Sequence, residues 1–487
     1  MIYTHSHVDH WGGVLGVISA ADVQAGRVKV YAPAGCTQEA LSENLFAGTA
    51  MARRTSYFAG NLIPPGPKGM VSSGLGISTS SGTIMYVPPT DEITKPVQHV
   101  TIDGLEFVLM LAPDTEAPAE MLFHNPSLRA LCSAEDATHT LHQTYTLRGA
   151  KTRDPKAWAH YLNRVIELFG EHSDVVFAQH HWPKWGNGEV TAFLEAQRDA
   201  YKFLNDQTLR LINKGHTAAE IAEMLQFPPE LDQLWHLRGY YGTVSHDLKS
   251  VYNLYMGWFD MNPAHLHPLP PAEASTRYVE YMGGPAAVLA RARKDMDNGQ
   301  YRWVAEAVNH VVFADPANQE ARGLLADCFE QLGYQAEAGT WRNIYLSGAQ
   351  ELRDGIKKVA APTAVSPELL AALPIEMIFD YLGVMLNGPK AAGKTITINL
   401  DLTDTHQQYV LQVKNCVLNY FEGQQAKDAD LTLRLTGPEF GTLLTRQESF
   451  ADAVQAGQVK TEGDPQALAD LAGLLDSFDF WFNIVEP

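Results

Sequence analysis

The stretch THSHVDHWGG, residues 4–13, constrains this 487-residue chain more than any other. It sets His5, His7, Asp9 and His10 within six positions and follows them with Gly12 and Gly13. A zinc-type ion takes three or four imidazole or carboxylate ligands about 2 Å away. In an extended segment residues two apart point the same way, so His5 and His7 share a side. Asp9 and His10 then face a second ion where the strand bends into a helix, and the two glycines allow a sharp turn. The spacing predicts a two-metal centre.

Composition bounds what such a centre can serve. At about 150 residues per domain, the length predicts about three domains. The formal net charge is −20, from 36 basic and 56 acidic side chains. That balance repels a phosphate backbone, so no nucleic-acid partner is expected. An anionic substrate would need a local positive centre. Cys36, Cys132, Cys328 and Cys416 lie far apart with no CxxC pair, so neither disulfide staples nor a thiolate zinc site is expected. No apolar run has the length of a membrane span. No basic segment followed by an apolar stretch opens the chain, and the compartment stays undetermined, a periplasmic or secreted location included.

Residues 1–190 mix short β-rich runs with loops. RVKVYAP (27–33) and LEFVLMLAP (105–113) alternate like strands. ALCSAED and DVVFAQHH read as buried strands with chemistry at their C-terminal ends. SSGLGISTSSGT (72–83) reads as a flexible surface loop. Residues 191–355 read as helical. VTAFLEAQRDAYKFLNDQTLRLINKG ends on a glycine stop, and Thr217 with Glu220 forms a capping-box pattern. Residues 301–338 read as two antiparallel helices joined at DPAN, one hairpin rather than a repeat array. After a linker near 357–367, residues 363–487 begin with the helix PELLAALPIEMIFDYLGVML. Alternating strands follow, with Ile396, Ile398, Leu400 and Leu402 on one face, and a helical tail, PQALADLAGLLDSF. This predicts an α+β domain with a half-buried antiparallel sheet.

GPKAAGKT (388–395) fits the phosphate-binding pattern G-x-x-x-x-G-K-[ST]. That pattern needs a strand before it and a helix after it, and here the order is reversed. Nucleotide binding is not expected, and Lys390 and Lys394 read as solvated turn residues.

HSHVDH matches the H-x-H-x-D-H signature of the metallo-β-lactamase superfamily. PDTEAPAEMLFHNPSLRALCSAEDATHT offers Glu116 and Glu135 where the usual pattern has a histidine and an aspartate. With THTLHQTYTLRGA directly after it, this resembles the zinc-dependent alkylsulfatases that cleave dodecyl sulfate and related esters. VVFAQHHWPKWG supplies His180. RGYYGTVSHDLKSVYNLYMGWFDMNPAHLHPLPP resembles that family's dimerisation region, and the C-terminal unit resembles its sterol-carrier-protein-like domain.

The resemblance implies an α+β multidomain chain: an incomplete metallo-β-lactamase αββα sandwich (1–190), an all-α dimerisation domain (191–355) and a sterol-carrier-protein-like domain (363–487). It implies two Zn2+ per chain. His5, His7 and Glu116 hold the first, Asp9, His10 and His180 the second, and Glu135 bridges. His181 rivals His180, and Asp114, Glu120 and Asp136 rival the two glutamates. A metal-bound hydroxide would hydrolyse an anionic alkyl sulfate to alcohol and sulfate. Arg148 is the sulfate clamp, because a planar guanidinium matches sulfate oxygens. Gln143, Tyr145 and Tyr241 donate to the same group, and His246 protonates the leaving group. A homodimer is expected. The alternatives are a hydrolase of other esters on this scaffold and an inactive homologue binding apolar ligands. Family members carry a long segment before the histidine motif, whereas only MIYT precedes it here. Either the sequence starts at an internal methionine of a longer protein or the chain is a truncated product, and as it stands the His5 segment is expected to have an unpaired edge and an uncovered face.

Overall fold

The computed structural model describes residues 1–80, 82–360, 373–444 and 449–487. Residues 361–372, which carry most of the expected linker and the start of the next helix, lie outside them. A six-stranded sheet organises the first region. Its order is Val97–Ile102, Leu105–Leu111, Met121–Asn125, Ala130–Cys132, Val175–Phe177 and Lys184–Trp185. Neighbours are antiparallel except Ala130–Cys132 and Val175–Phe177, which run parallel. A parallel pair needs a long crossover, and the helix Pro155–Phe169 supplies it, capped by Asp154. Its buried face (Trp158, Leu162, Val165, Phe169) packs into the largest apolar core with Leu122, Leu131 and Val176. The parallel pair brings the residues just past Cys132 and Phe177 side by side at one sheet end.

The alternation in RVKVYAP yields only the short strand Tyr31–Pro33, paired in parallel with Asp91–Ile93. The expected bare edge is not found. The Tyr3 amide donates to Tyr31 O (2.8 Å), and the Met121 amide donates to Thr4 O (2.8 Å). The segment before His5 thus links the two sheets. Tyr3 is buried on one side with Trp11 and Val14, and Ile2 packs on the other with Met121 and Leu109.

The helical region follows the expected caps. Asn187–Ile212 is one long helix, Thr217 and Glu220 complete a capping box, and Tyr301–Ala314 with Gln319–Gln335 form the hairpin. The 72–83 loop is not free along its length, because Asn343 Nδ2 donates to Ser72 O (3.0 Å).

The C-terminal sheet is mixed rather than antiparallel. Its order is Val417–Glu422, Gln407–Lys414, Ile396–Leu402, Leu431–Leu435 and Lys460–Gly463, with Leu431–Leu435 parallel to Ile396–Leu402. Nor is the central strand half-exposed. The return segment covers its second face, where Asn399 exchanges two hydrogen bonds with the Ala426 backbone (2.9 and 2.8 Å). GPKAAGKT lies between the helix Ile375–Met385 and the strand Ile396–Leu402, so no helix start faces a phosphate there. Lys390 pairs with Asp476 (2.7 Å).

Arg53 ties the three regions together. It is fully buried, donates twice to Glu351 (2.8 and 2.9 Å) and once to Phe482 O (3.1 Å). Tyr57 also donates to Glu351 (2.6 Å). Removing one partner of a buried pair leaves a bare charge and costs about 3–5 kcal/mol. Arg53→Met is therefore expected to lose stability on that scale in denaturant unfolding, with Glu351→Gln losing less.

Candidate metal centre

Four loops meet at the sheet end described above. His5 continues the linking segment and bridges Glu120. Val8–His10 forms a turn of 3-10 helix. Glu116 lies in the connection between Leu105–Leu111 and Met121–Asn125. Glu135 and His180 follow the two parallel strands. The glycine requirement is spatial rather than torsional: a Cβ on Gly12 would stand 2.7 Å from Val8 O, whereas Gly13 has open space around it.

Among the described residues two sets of ligand atoms converge: His5, His7, Glu116 and Glu135, and then Asp9, His10 and His180, each within 4.8 Å. Glu135 reaches both, lying 3.6 Å from His5 Nε2, 3.5 Å from His10 Nε2 and 2.7 Å from His180 Nε2. Four ligands about 2.0–2.1 Å from a tetrahedral ion stand roughly 3.3–3.4 Å apart. His5–Glu116 (3.5 Å), His10–Asp9 (3.3 Å) and His180–Asp9 (3.3 Å) have that spacing. His5 Nε2 and His10 Nε2 are buried without a hydrogen-bond partner, and the close contacts of Glu135 with His180 and of Glu116 with His7 (2.7 Å each) lack hydrogen-bond geometry. A buried polar atom left unmade costs about 1–3 kcal/mol, so both unpartnered nitrogens fit cations they would ligate.

The electrostatics agree. Burial opposes charge on Glu116 and Glu135, yet both are held below the usual carboxylate range, Glu116 by Arg153 and His7, and Glu135 by His180 and His10. Asp9, whose side chain is exposed, is lowered likewise by His10 and His180. Three carboxylates therefore stay charged at the cluster. Burial pushes His5 down to about 4. Burial also opposes charge on His10 and His180, but Glu135 and Asp9 outweigh it: His10 is raised well above the ordinary value and His180 to about 10.

His181 has φ +68, its ring lies edge-on to Trp182, and it is not among the convergent ligand atoms. Asp114 is exposed. Glu120 is buried, but its Oε2 accepts from Thr115 and Ala117, and burial together with Asp136 raises its pKa. Asp136, buried beside it, is raised too. Arg148 donates to Glu43 (2.8 Å), whose other oxygen lies 3.7 Å from His7 Nε2. Gln143 is not free for a ligand: its amide donates to Tyr241 O (2.9 Å) and accepts from Leu147 N (3.3 Å). Tyr145 is half-buried on the same loop. Tyr241 is buried with its ring 4.9 Å from that of His142.

His246 is not brought to the cluster. Trp341 Nε1 donates to its Nδ1 (3.1 Å), its Nε2 faces Asp247 (3.3 Å), and burial pushes it down to about 3. The residue that sequence reasoning missed is His142. It is buried, and its unpartnered Nε2 lies 3.6 Å from Glu116 and 3.7 Å from Glu135. Arg153, buried behind it and joined to Glu116 (2.5 Å), was missed too. Both stand in or just after the quoted THTLHQTYTLRGA, but no periodicity marks them.

Family profiles match along the chain: metallo-beta-lactamase superfamily at 1–180, alkyl sulfatase dimerisation at 217–355 and alkyl sulfatase C-terminal at 363–487. A linear primary-alkylsulfatase of Pseudomonas sp. is 53% identical over 487 residues, covering 100% of this chain and 72% of its own length. The chain belongs to the alkylsulfatases of the metallo-beta-lactamase superfamily. These are hydrolases acting on sulfuric esters. An alkyl/aryl-sulfatase of Saccharomyces cerevisiae is 48% identical, with 100% and 75% covered. The solved structure of a stereoselective inverting sec-alkylsulfatase from Pseudomonas sp. superposes with a TM-score of 0.95 at 45% identity, over 100% of this chain and 77% of that one. The superfamily implies a metal, and the convergent His and Glu side chains fit one.

Glu135 and Asp9 favour the protonated forms of His10 and His180. A metal takes their lone pairs, so binding must expel those protons. Zinc loading near pH 7 is expected to release protons, read by calorimetry in buffers of different ionisation enthalpy. Apparent affinity is expected to fall as pH falls.

Proposed function

We propose that this alkylsulfatase hydrolyses alkyl sulfate esters such as dodecyl sulfate with two zinc ions per chain, His5, His7 and Glu116 holding one, Asp9, His10 and His180 the other, and Glu135 bridging. The observation that carries this is the pair of convergent ligand sets with Glu135 within reach of both. Bound there, zinc lowers the pKa of a water toward neutrality and offsets the negative charge of a sulfate.

The remaining work falls to the chain. Arg148, oriented by Glu43 beside His7, and Tyr241, packed on His142, bind the sulfate head. When the ester opens, the oxygen between sulfur and carbon gains charge whichever of its two bonds breaks. His142 faces the cluster from the buried side and donates to that oxygen. This role replaces the one expected of His246, which the structure sets among Thr243, Trp341 and Asp247. Gln143 orients the loop that carries His142.

We further propose domain limits of 1–190, 191–355 and 363–487, and a homodimer formed through the helical region. Leu254, Tyr255, Met256, Trp258, Met261 and Leu266 are exposed there, and contiguous apolar surface marks association sites. Trp258→Glu is expected to shift the sedimentation coefficient toward a monomer.

The deciding test is metal content by mass spectrometry together with turnover of dodecyl sulfate. Two zinc ions and turnover are expected, and chelation abolishes both. Turnover of thioesters or phosphodiesters with dodecyl sulfate inert would move the chain to another ester class. His142→Gln is expected to lower kcat about 10²–10³-fold, as removal of one preorganised donor does, with KM within a few-fold.

A further inference from the structure

His142 Nε2 stands 3.6 and 3.7 Å from oxygens of Glu116 and Glu135. By distance it resembles the ligands around it. What separates it from them is the partner on its other nitrogen. Arg153 Nη1 lies 3.1 Å from His142 Nδ1 and 2.5 Å from Gln143 O. Arginine has five N–H donors and no acceptor, and a neutral imidazole has one N–H and one lone pair. Facing Arg153, Nδ1 must present the lone pair, so the proton resides on Nε2. Gln143 O also lies 3.3 Å from Nδ1. That carbonyl has two lone pairs, but an N–H at Nδ1 would stand against the guanidinium hydrogens of Arg153 at the shorter 3.1 Å, two donors face to face. Arg153 cannot swing away. Its other terminal nitrogen is bound to Glu116 (2.5 Å), and its amide donates to Thr144 O (2.9 Å). A nitrogen carrying hydrogen has no lone pair for a metal.

We propose that Arg153 is the positioning residue that fixes His142 in its Nε2–H form, keeping it out of the metal shell and turning it into a hydrogen-bond donor for the substrate. The substrate half of this statement rests on the alkyl sulfate reading above, and the tautomer half does not. One guanidinium thus serves two ends: it neutralises Glu116 and sets the polarity of the neighbouring ring.

The test begins with the wild-type chain labelled with 15N-histidine, zinc-loaded, the His142 signals being those lost in His142→Gln. Nδ1 is expected at the unprotonated shift, and Nε2 coupled to a proton. Arg153→Met is expected to release the tautomer and, in the cobalt-loaded protein, to add a nitrogen ligand visible in the d–d spectrum. Its kcat falls about 100-fold or more with KM within about threefold, the split expected when a transition-state donor is lost. Guanidinium salt then restores turnover where sodium chloride does not. Arg153→Lys, still a pure donor, keeps the Nε2–H form and guards against misfolding of the methionine variant. A protonated Nδ1 in wild type, or an unchanged tautomer in Arg153→Met, would overturn the proposal. The stated tautomer with no turnover of dodecyl sulfate would sink the hydrolase reading and leave the role of Arg153 on His142 standing.

Discussion

Glu116 has almost no contact with water, so its charge has to be met inside the protein. An ionised carboxylate in a dry interior persists only when paired. His7 lies 2.7 Å from one of its oxygens and Arg153 2.5 Å from the other. Everything else at the sheet end follows from that pair of contacts. The motif loop must bring His7 in from one side, and the chain beyond Glu135 must bring Arg153 in from the other. Glu116, Glu135 and Asp9 are thus each met by a cationic partner, Arg153, His7, His10 or His180, and a bound metal would take the place of the histidine protons.

The second dependence runs through the helical region. The loop with His142 has no regular structure of its own and borrows its shape. The Leu141 amide donates to Arg238 O (3.0 Å), the Gly242 amide returns to Leu141 O (2.9 Å), and Asp247 accepts from both the amide and the hydroxyl of Thr144 (2.9 and 3.1 Å). A Cβ on Gly242 would come within 2.7 Å of His142 O, so the two backbones meet at a distance only glycine allows. Asp247 is fully buried and pushed up to about 8, chiefly by burial. It accepts these bonds largely without carrying a charge at neutral pH. The helices therefore set the position of His142, a residue outside their own sequence.

What could be read from the sequence was local. The histidine run, the capping box at Thr217 and the strand at TITINLDL each depend on neighbours a few residues apart, and the capping box and the strand are found where they were expected. Glu116, Glu135 and His180 have no spacing signal of their own, and only resemblance pointed to them. The errors share one cause. His246 was expected to protonate the leaving group, but its ring lies against Trp341 and Asp247, and the Trp341 contact is a long-range one that no local spacing forecasts. His142 and Arg153 differ by eleven positions and meet only because the chain folds back beside Glu116. The C-terminal sheet was taken as antiparallel because pattern reports faces and not order. Covering its second face by residues near Ala426 is likewise a long-range event.

The acidic surface then takes on a consistent meaning. A chain of net charge −20 repels an anionic ester at long range, and screening at physiological salt confines that repulsion to about 8 Å. Within that distance the balance reverses locally. Arg148 is half-buried and its guanidinium sits against Glu43 rather than in bulk water, where its field would be lost to solvent. Glu43 in turn connects it to His7, so the proposed sulfate cation and the proposed metal ligand share one carboxylate. A substitution at Glu43 would therefore act on both at once. The same carboxylate is drawn toward His7, which Glu116 first and Glu43 second raise against the opposing effect of burial.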